Sequence, residues 1–404
     1  MCTVRGHIPV EVVIRRPPLA QEAETHAEID ATSVGTRCLG GDGMTAESVG
    51  FTASAAELTS FGQGVLERTG VPPNDAWLVA DSLVQAELWG HSSHGMLRLP
   101  WYVERLRGGV MSAVTDPTVV SDSGSFVVLD GKDGVGQVLT DHAVGLGNDR
   151  AKAHGISGVA VRNSNHFGMA AYFTRKSAAA GCIGLLFTNA SPAMAPWGGR
   201  DKTIGTNPWS IAAPAGKYGV AVIDLANTAV ARGKVYLAAE RDQQIPDGWA
   251  ADADGVATND PRAAIDGLIL PMAGAKGYVI SFMVDVLAGV LTGSAFGSAV
   301  VGPYQPNKPS GCGHLLLTID VEALMPLEEF AARLEQLITE TKAVDKAAGT
   351  EEIFFPGELE DRSAKRRASA GIHLAGNTRA SLARLARETG TALPTSASRQ
   401  GGVS

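Results

Sequence analysis

The chain is poor in cysteine and has no paired cysteine motif. Its four thiols, Cys2, Cys38, Cys182 and Cys312, lie far apart with no CxxC among them. That leaves neither a disulfide framework nor a zinc cluster, and it fits a reducing cytoplasm. Positive charge is short as well: 34 Lys+Arg face 42 Asp+Glu, a formal charge of −8 with no long basic run. Such a balance gives no electrostatic footprint for nucleic acid or an anionic membrane, and a small molecule is the expected partner. The most hydrophobic run, GYVISFMVDVLAGVLTGSAFG over 277–297, has the length of a bilayer span but carries Asp285 at its middle and recurrent glycines. It is read as a buried core helix. The N-terminus lacks the charged, apolar, then small-residue order of a secretory signal. GxxxxGK(S/T), GxSxG and HExxH are all missing, so phosphoryl transfer, serine hydrolysis and zincin chemistry lack their usual signatures.

What is present is a 404-residue chain, 45% hydrophobic, with ample material for a large core. Residues 1–50 mix Pro, Gly, Glu and Thr without a sustained period and read as a mobile extension. The Ser, Thr and Gly-rich residues 389–404 read as a flexible tail. Order begins at FTASAAEL, where Ser54 and Glu57 stand in capping-box spacing before an apolar-periodic helix that stops at Gly70. Further helices are predicted over 74–89 and 100–109, so 51–125 reads as a helical domain. Beyond it, the apolar runs SFVVLDG, GVAVRN, IGLLFTN, GVAVIDL and HLLLTID alternate with helical periods over 140–154 and 169–180. This texture predicts a mixed sheet domain over 126–309. The helical period over 323–343 is expected to return to the first domain, so that 310–388 completes it. The fold class is α/β of the mixed α+β kind.

A sheet domain invites a search for phosphate-cradling glycines. GVGQVL over 134–139 follows a predicted strand and precedes a helix, but Leu139 occupies the third glycine position of the dinucleotide fingerprint. Arg162 and Asn163 end the next strand, where the fingerprint wants an acid for the ribose. An ordinary Rossmann site is therefore not expected.

Polar residues cluster elsewhere. HSSHGMLRLP over 91–100 sits at a helix-to-helix junction, and if a helix runs through it, His94 and Arg98 are four apart on one face. A guanidinium grips a carboxylate with two parallel hydrogen bonds, and an imidazole takes or returns a proton beside it. Two plainer readings stand next to this one: His91 and His94 cap helix ends while Arg98 is solvated, or the two histidines are metal ligands that lack a third partner. A second cluster places Asn163, Asn165 and His166 after one predicted strand, and Asn189, Ser191, Gly198, Gly199, Gly205, Thr206, Asn207 and Pro208 after another. VIDLANTAVARGKV ends a strand with Asp224, followed by Asn227 and Thr228, and GAKGYV holds Lys276 between glycines. Strand ends of this kind are where α/β sheets bind ligands.

SHGMLRLPWYVERLRGG, NHFG, PWGGRDKTIGTNP, DLANTAVARGKV, AGAKGY with DVLAGVLTGSAFG, and FFPGE occur in one order between residues 51 and 385. Together they resemble the malate/lactate dehydrogenase family, which also holds ureidoglycolate, sulfolactate and diketogulonate dehydrogenases and a cyclic-imine reductase. The resemblance implies a non-Rossmann NAD(P)-binding sheet domain with a helical domain formed by the N- and C-terminal segments, NAD or NADP as cofactor, and a homodimer. By motif, His94 matches the family's proton-exchanging histidine, with Ser93 beside it. Arg98 matches the arginine that holds the substrate carboxylate, and His166 a second histidine that is either the acid/base or a cofactor contact. Ser93, Thr206 and Asn207 fall on the substrate side. Asn189, Ala190, Asp224, Leu225, Ala226, Thr228, Lys276, Gly357 and Glu358 fall on the cofactor side. Ala190 stands where some relatives carry serine, so only a backbone contact survives there. No metal is implied.

The resulting expectation is hydride transfer between nicotinamide and C2 of a small 2-hydroxy or 2-oxo acid, with Arg98 orienting the carboxylate and His94 or His166 exchanging the hydroxyl proton. The alternatives are reduction of a cyclic imino acid of the piperideine-2-carboxylate type, a metal-dependent hydrolase built on His91 and His94, and a silent dinucleotide-binding module.

Overall fold

The computed structural model describes residues 50–394. The extension expected over 1–50 and most of the tail expected over 389–404 lie outside the described residues.

The capping box forms as the spacing predicts. Ser54 N donates to Glu57 Oε2 at 2.8 Å and Glu57 N donates to Ser54 Oγ at 3.2 Å, which starts the helix Ala55–Arg68. Gly70 leaves it at φ +94, a left-handed turn that a glycine takes without strain. The helix lays Leu58, Phe61, Val65 and Leu66 against Val79, Leu83 and Val84 of the helix Pro73–Leu88. Each such side chain contributes about 2 kcal/mol on leaving water. The far end of the chain joins this core. Ile372–Leu374 pairs antiparallel with Phe51–Ala53, and Leu382 and Leu385 of the helix Gly376–Thr389 pack into the same cluster.

The second layer system is a seven-stranded sheet in the order Thr118–Asp122, Phe126–Asp130, Ile156–Ser164, Cys312–Asp320, Cys182–Thr188, Trp209–Pro214, Val220–Leu225. Only Phe126–Asp130 and Ile156–Ser164 run parallel, and the helix Gly136–His154 makes the crossover that a parallel pair requires. The sheet is thus mixed and mostly antiparallel, not doubly wound.

Three expectations are corrected. The strand Cys312–Asp320 lies at the centre of the sheet, with Leu316 opposite both Val159 and Leu186, not with the helical segment assigned to 310–388. Its near-continuous apolar run suits a position covered on both faces. The exposed edge strand Thr118–Asp122 likewise belongs to the sheet, although 51–125 reads as helical. Second, the helix Leu327–Ala343 does not return to the helical core. Its narrow apolar stripe, Leu334 and Ile338, packs on Ala215, Tyr218, Ala221 and Phe355 at the sheet's last hairpin.

Third, the run 277–297 is not a buried core helix. It forms the helix Ala275–Asp285 and a widened π-helical turn over Val286–Val290, and it exposes Val279, Phe282, Met283, Val290 and Leu291 at 47–63%. Asp285 is inward and fully employed: its carboxylate accepts from Asn189 Nδ2 at 3.0 Å and from Gly297 N at 2.8 Å. Among the described residues, no helix is long and apolar enough to cross a membrane.

Candidate active site

The cluster over residues 91–100 is built on a buried carboxylate. Glu87, 1% exposed at the end of the helix Pro73–Leu88, accepts from Met96 N at 3.0 Å and from Ser92 Oγ at 2.6 Å. Burial raises its pKa against the pull of those hydrogen bonds. Glu87 approaches the loop so closely that a Cβ on Gly95 would lie 2.1 Å from its Oε1, so residue 95 has to be glycine. The chain therefore crosses the junction as two short 3₁₀ turns, Ser92–His94 and Met96–Arg98, broken at Gly95. His94 and Arg98 do not share a face of one continuous helix, as the four-residue spacing suggested.

They meet all the same. Arg98 Nε donates to the Ser93 carbonyl at 2.6 Å, and its guanidinium lies 4.1 Å above the Trp101 ring. Among the described residues its two Nη groups have no partner. His94 Nδ1 contacts Ser93 Oγ at 3.1 Å, and its ring stacks on His166 with centroids 5.8 Å apart and planes 14° from parallel. Burial first, then the charges of Arg98 and His91, press the His94 pKa down to about 3. Burial and the charges of His94 and Arg98 hold His166 well below the usual imidazole range. Both rings are uncharged at neutral pH.

Tyr102 and His314 are functional neighbours that the sequence reading missed. Tyr102 OH donates to His166 Nδ1 at 2.8 Å, and Gly168 N points at the same nitrogen at 3.3 Å. An atom that accepts a backbone N–H carries no proton of its own, so the His166 proton sits on Nε2. His314, in the central strand, bridges Thr188 Oγ1 at 2.8 Å and Ser164 Oγ at 2.7 Å, and its ring meets Phe167 edge-on at 4.7 Å. Burial pushes its pKa down to about 4. A lone histidine inside an apolar strand was the available signal; Tyr102, one helical turn after Arg98, reads as ordinary core.

The residues expected on the cofactor side fall in two places. Asp224, Leu225 and Gly357 line a cavity of about 340 Å³ with Trp89, His91 and Phe355. Asp224 accepts from Ala171 N at 2.8 Å, and burial raises its pKa to about 6. Gly357 has φ +94, and a Cβ there would fall 2.6 Å from Val222 Cγ1. Aromatic walls, a glycine that lets backbone approach, and an acid beside a histidine suit an adenosine or nicotinamide half of a dinucleotide. His91, which is paired with Glu360 at 3.3 Å, stands in this cavity and three residues before His94.

Asn189 and Ala190 lie in the second place, a hydrogen-bonded clasp they share with Thr206 and Asn207, which were expected on the substrate side. Asn189 donates to Asp285 and to the Ala295 carbonyl at 2.7 Å and accepts from Gly313 N. Asn207 Oδ1 accepts from Ala190 N at 2.9 Å while its Nδ2 donates to the Ser281 carbonyl. The Thr206 carbonyl accepts from Asn227 N at 3.0 Å. The clasp ties the strand Cys182–Thr188 to the helix Ala275–Asp285, whose exposed Lys276 lies in its first turn. Thr228 bridges to Pro271 and Ala226 is exposed. The Glu358 side chain is turned away from the cavity, onto Lys342 and Arg362 at 2.6 Å each.

The sequence pattern of malate/L-lactate dehydrogenase matches residues 53–383. The chain belongs to that family. It is an NAD(P)-dependent oxidoreductase. It is 39% identical to L-sulfolactate dehydrogenase of Methanothermobacter thermautotrophicus over 77% of this chain and 89% of the relative. To (2R)-3-sulfolactate dehydrogenase (NADP(+)) of Chromohalobacter salexigens it is 38% identical, covering 66% and 80%. To ureidoglycolate dehydrogenase (NAD(+)) of Escherichia coli it is 32% identical, covering 76% and 88%. The solved sulfolactate dehydrogenase of Methanocaldococcus jannaschii superposes with a TM-score of 0.81 at 36% identity, over 85% of this chain and 98% of that one.

In this malate/L-lactate dehydrogenase family member the broken dinucleotide fingerprint has a structural reason. A Cβ on Gly136 would fall 2.3 Å from the Asn165 carbonyl, and Asn165 Nδ2 donates to the carbonyls of Asp133 and Gly134. The glycine-rich turn is filled by the chain's own asparagine where a Rossmann site places a phosphate.

Proposed function

We propose that the protein transfers hydride between NAD or NADP and C2 of a small 2-hydroxy or 2-oxo carboxylic acid. The observation that carries the reading is two uncharged, stacked imidazoles beside an arginine whose Nη groups face no protein carboxylate among the described residues. Arg98 takes the substrate carboxylate in a two-point grip, which fixes C2 and its oxygen relative to the rings. A nicotinamide cofactor bound beside them would supply the hydride chemistry. In oxidation His94, uncharged, takes the hydroxyl proton through Nε2; in reduction it returns that proton to the carbonyl oxygen. Its pKa rises as the bound carboxylate cancels the Arg98 charge, which makes the return step accessible at neutral pH. His166, with its proton on Nε2, donates a hydrogen bond to the same oxygen.

Asp224 and Leu225 at the end of the last sheet strand, with Gly357, His91 and Phe355 around them, would hold the cofactor. The division of labour is thus a helical part holding His94 and Arg98 and a sheet part holding NAD(P). The protein works as a homodimer in the cytoplasm, without nucleic acid or membrane partners. Val279, Phe282, Met283 and Val290 recur on one helix face and stay exposed, an apolar patch that a second copy covers. Free, buried Cys182 and Cys312 suit a reducing compartment.

The test is the loss of NADH and, separately, NADPH absorbance across oxaloacetate, pyruvate, sulfo- and ureido-substituted 2-oxo acids, and piperideine-2-carboxylate. Turnover of a 2-oxo acid supports the reading, and turnover of the cyclic imine alone moves the proton transfer to nitrogen. Silence with both cofactors across the panel overturns it.

A further inference from the structure

Arg105 is a buried arginine of the helix Leu99–Arg107. Its side chain is 1% exposed, and among the described residues it makes no ion pair. Nη2 donates to Asn165 Oδ1 at 3.0 Å, Nη1 donates to the Gln305 carbonyl, and Nε is buried without a partner among the described residues. A charge taken out of water and given neutral acceptors only is expensive to keep. Neutral donors satisfy the same two acceptors, so the feature that needs explaining is the charge.

Its position supplies the explanation. Asn165 passes the contact on, donating through Nδ2 to the carbonyls of Asp133 at 3.0 Å and Gly134 at 2.9 Å. One guanidinium thereby joins the helix Leu99–Arg107, the turn ahead of the helix Gly136–His154, the loop at Gln305, and the turn whose next residue is His166. The groups acting on the His166 ring are His94, Arg98, Arg105 and His314, with Tyr102 as its hydrogen-bond partner. All four oppose a charge on the ring, and no carboxylate is among them. The titratable groups acting on Arg105 are the Cys312 thiol and then Asp133, and Asp133 forms no ion pair with it.

The geometry points to Arg105 as the positioning residue of His166: it locks the Asn165 turn on which the ring stands, and so holds Nε2–H as a donor toward the substrate oxygen. The inference rests on the placement of His166 at that oxygen, made above. Burial and the surrounding charges, Arg105 included, already hold the ring well below the usual imidazole range.

The experiment compares the full-length protein with Arg105→Met, Arg105→Lys and Asn165→Asp. The readouts are the pH at which the His166 Cε1–H NMR signal moves, assigned by its loss in His166→Gln, and kcat against the cofactor KM. Arg105→Met removes the guanidinium, and Asn165→Asp sets a carboxylate against it while removing the Nδ2 donor to the Asp133 and Gly134 carbonyls. In both, protonation of His166 is expected at a higher pH, and kcat on the order of 100-fold lower with the cofactor KM unchanged. Arg105→Lys, which keeps the charge, recovers most of both. If Arg105→Met does not fold, Asn165→Asp decides. An unmoved His166 signal in the folded variants, or Arg105→Lys no better than Arg105→Met, overturns the inference even where the enzyme turns over a 2-oxo acid. A moved signal in a protein silent on every acid upholds the positioning role and overturns the dehydrogenase reading instead.

Discussion

His94 and His166 face each other ring on ring, 5.8 Å between centroids, yet their Nδ1 atoms are held by different partners, Ser93 Oγ and Tyr102 OH. The pair is therefore asymmetric. His94→Gln is expected to lower kcat by about 10³-fold, within the span of a lost general base, with the KM for NAD(P) unchanged. His166→Gln keeps an N–H donor and is expected to lose far less. Steady-state kinetics on both variants checks this, and equal losses would contradict the assignment of roles.

The acid side of the pH profile follows from the His94 pKa of about 3. A base must be uncharged to accept a proton, so kcat/KM for hydroxy-acid oxidation should stay level from pH 8 down past pH 5, in place of the fall near 6.5 shown by a solvated imidazole. Arg98→Met removes one of the charges that depress it and moves the acid limb to higher pH. It also raises the substrate KM and lowers kcat, because lost orientation is lost in the transition state. A limb already near pH 6.5 in the native protein would refute the depressed histidine.

His314 makes a stability prediction. Its folded pKa of about 4 lies below the ordinary value of 6.5, so the unfolded chain binds its proton first as pH falls. The contribution of this group is complete above pH 6.5 and is lost as pH drops toward about 4, a change of about 3 kcal/mol. Urea unfolding at pH 7.5 and 4.5 measures it. His314→Gln should flatten the slope across that window, and an unchanged slope would assign the acid lability elsewhere.

At the cofactor cavity, Gly357→Ala places a Cβ against Val222 at a left-handed position. The expected result is a rise of about tenfold or more in the KM for NAD(P) with the substrate KM little changed, checked by varying each ligand in turn. Asp224→Asn tests the same wall by charge. With a pKa of about 6, the native carboxylate ionises across pH 5–7, and any pH dependence of cofactor binding in that range should vanish in the variant.

Much of the fold and part of the site were legible in the residues. The Ser54–Glu57 spacing, the strand runs after residue 125 and the His94, Arg98 and His166 motifs read directly, because capping, period and clustered polar side chains are local signals. The paths that brought them together were not. Gly95 breaks the helix on which His94 and Arg98 were to share a face, and the reason is Glu87, a buried acid whose role no local pattern reveals. The apolar run around Asp285 carries no mark of which face stays in water. The carboxylate that looked like an obstacle to a membrane span is the anchor for Asn189 and Gly297. Glu358 lay inside a matching motif, and only its partners, Lys342 and Arg362, show where its side chain is spent.

The central position of the strand Cys312–Asp320 has a consequence for how the chain is made. Ile156–Ser164 and Cys182–Thr188 are separated by the width of one strand that arrives more than a hundred residues later. A nascent chain emerging from the ribosome thus holds two open strand edges until residue 320 has cleared the exit tunnel. Pairing that depends on such distant contacts is slow, and open edges recruit other chains. The sheet is closed from its middle, last, by the segment that also completes the packing around His314.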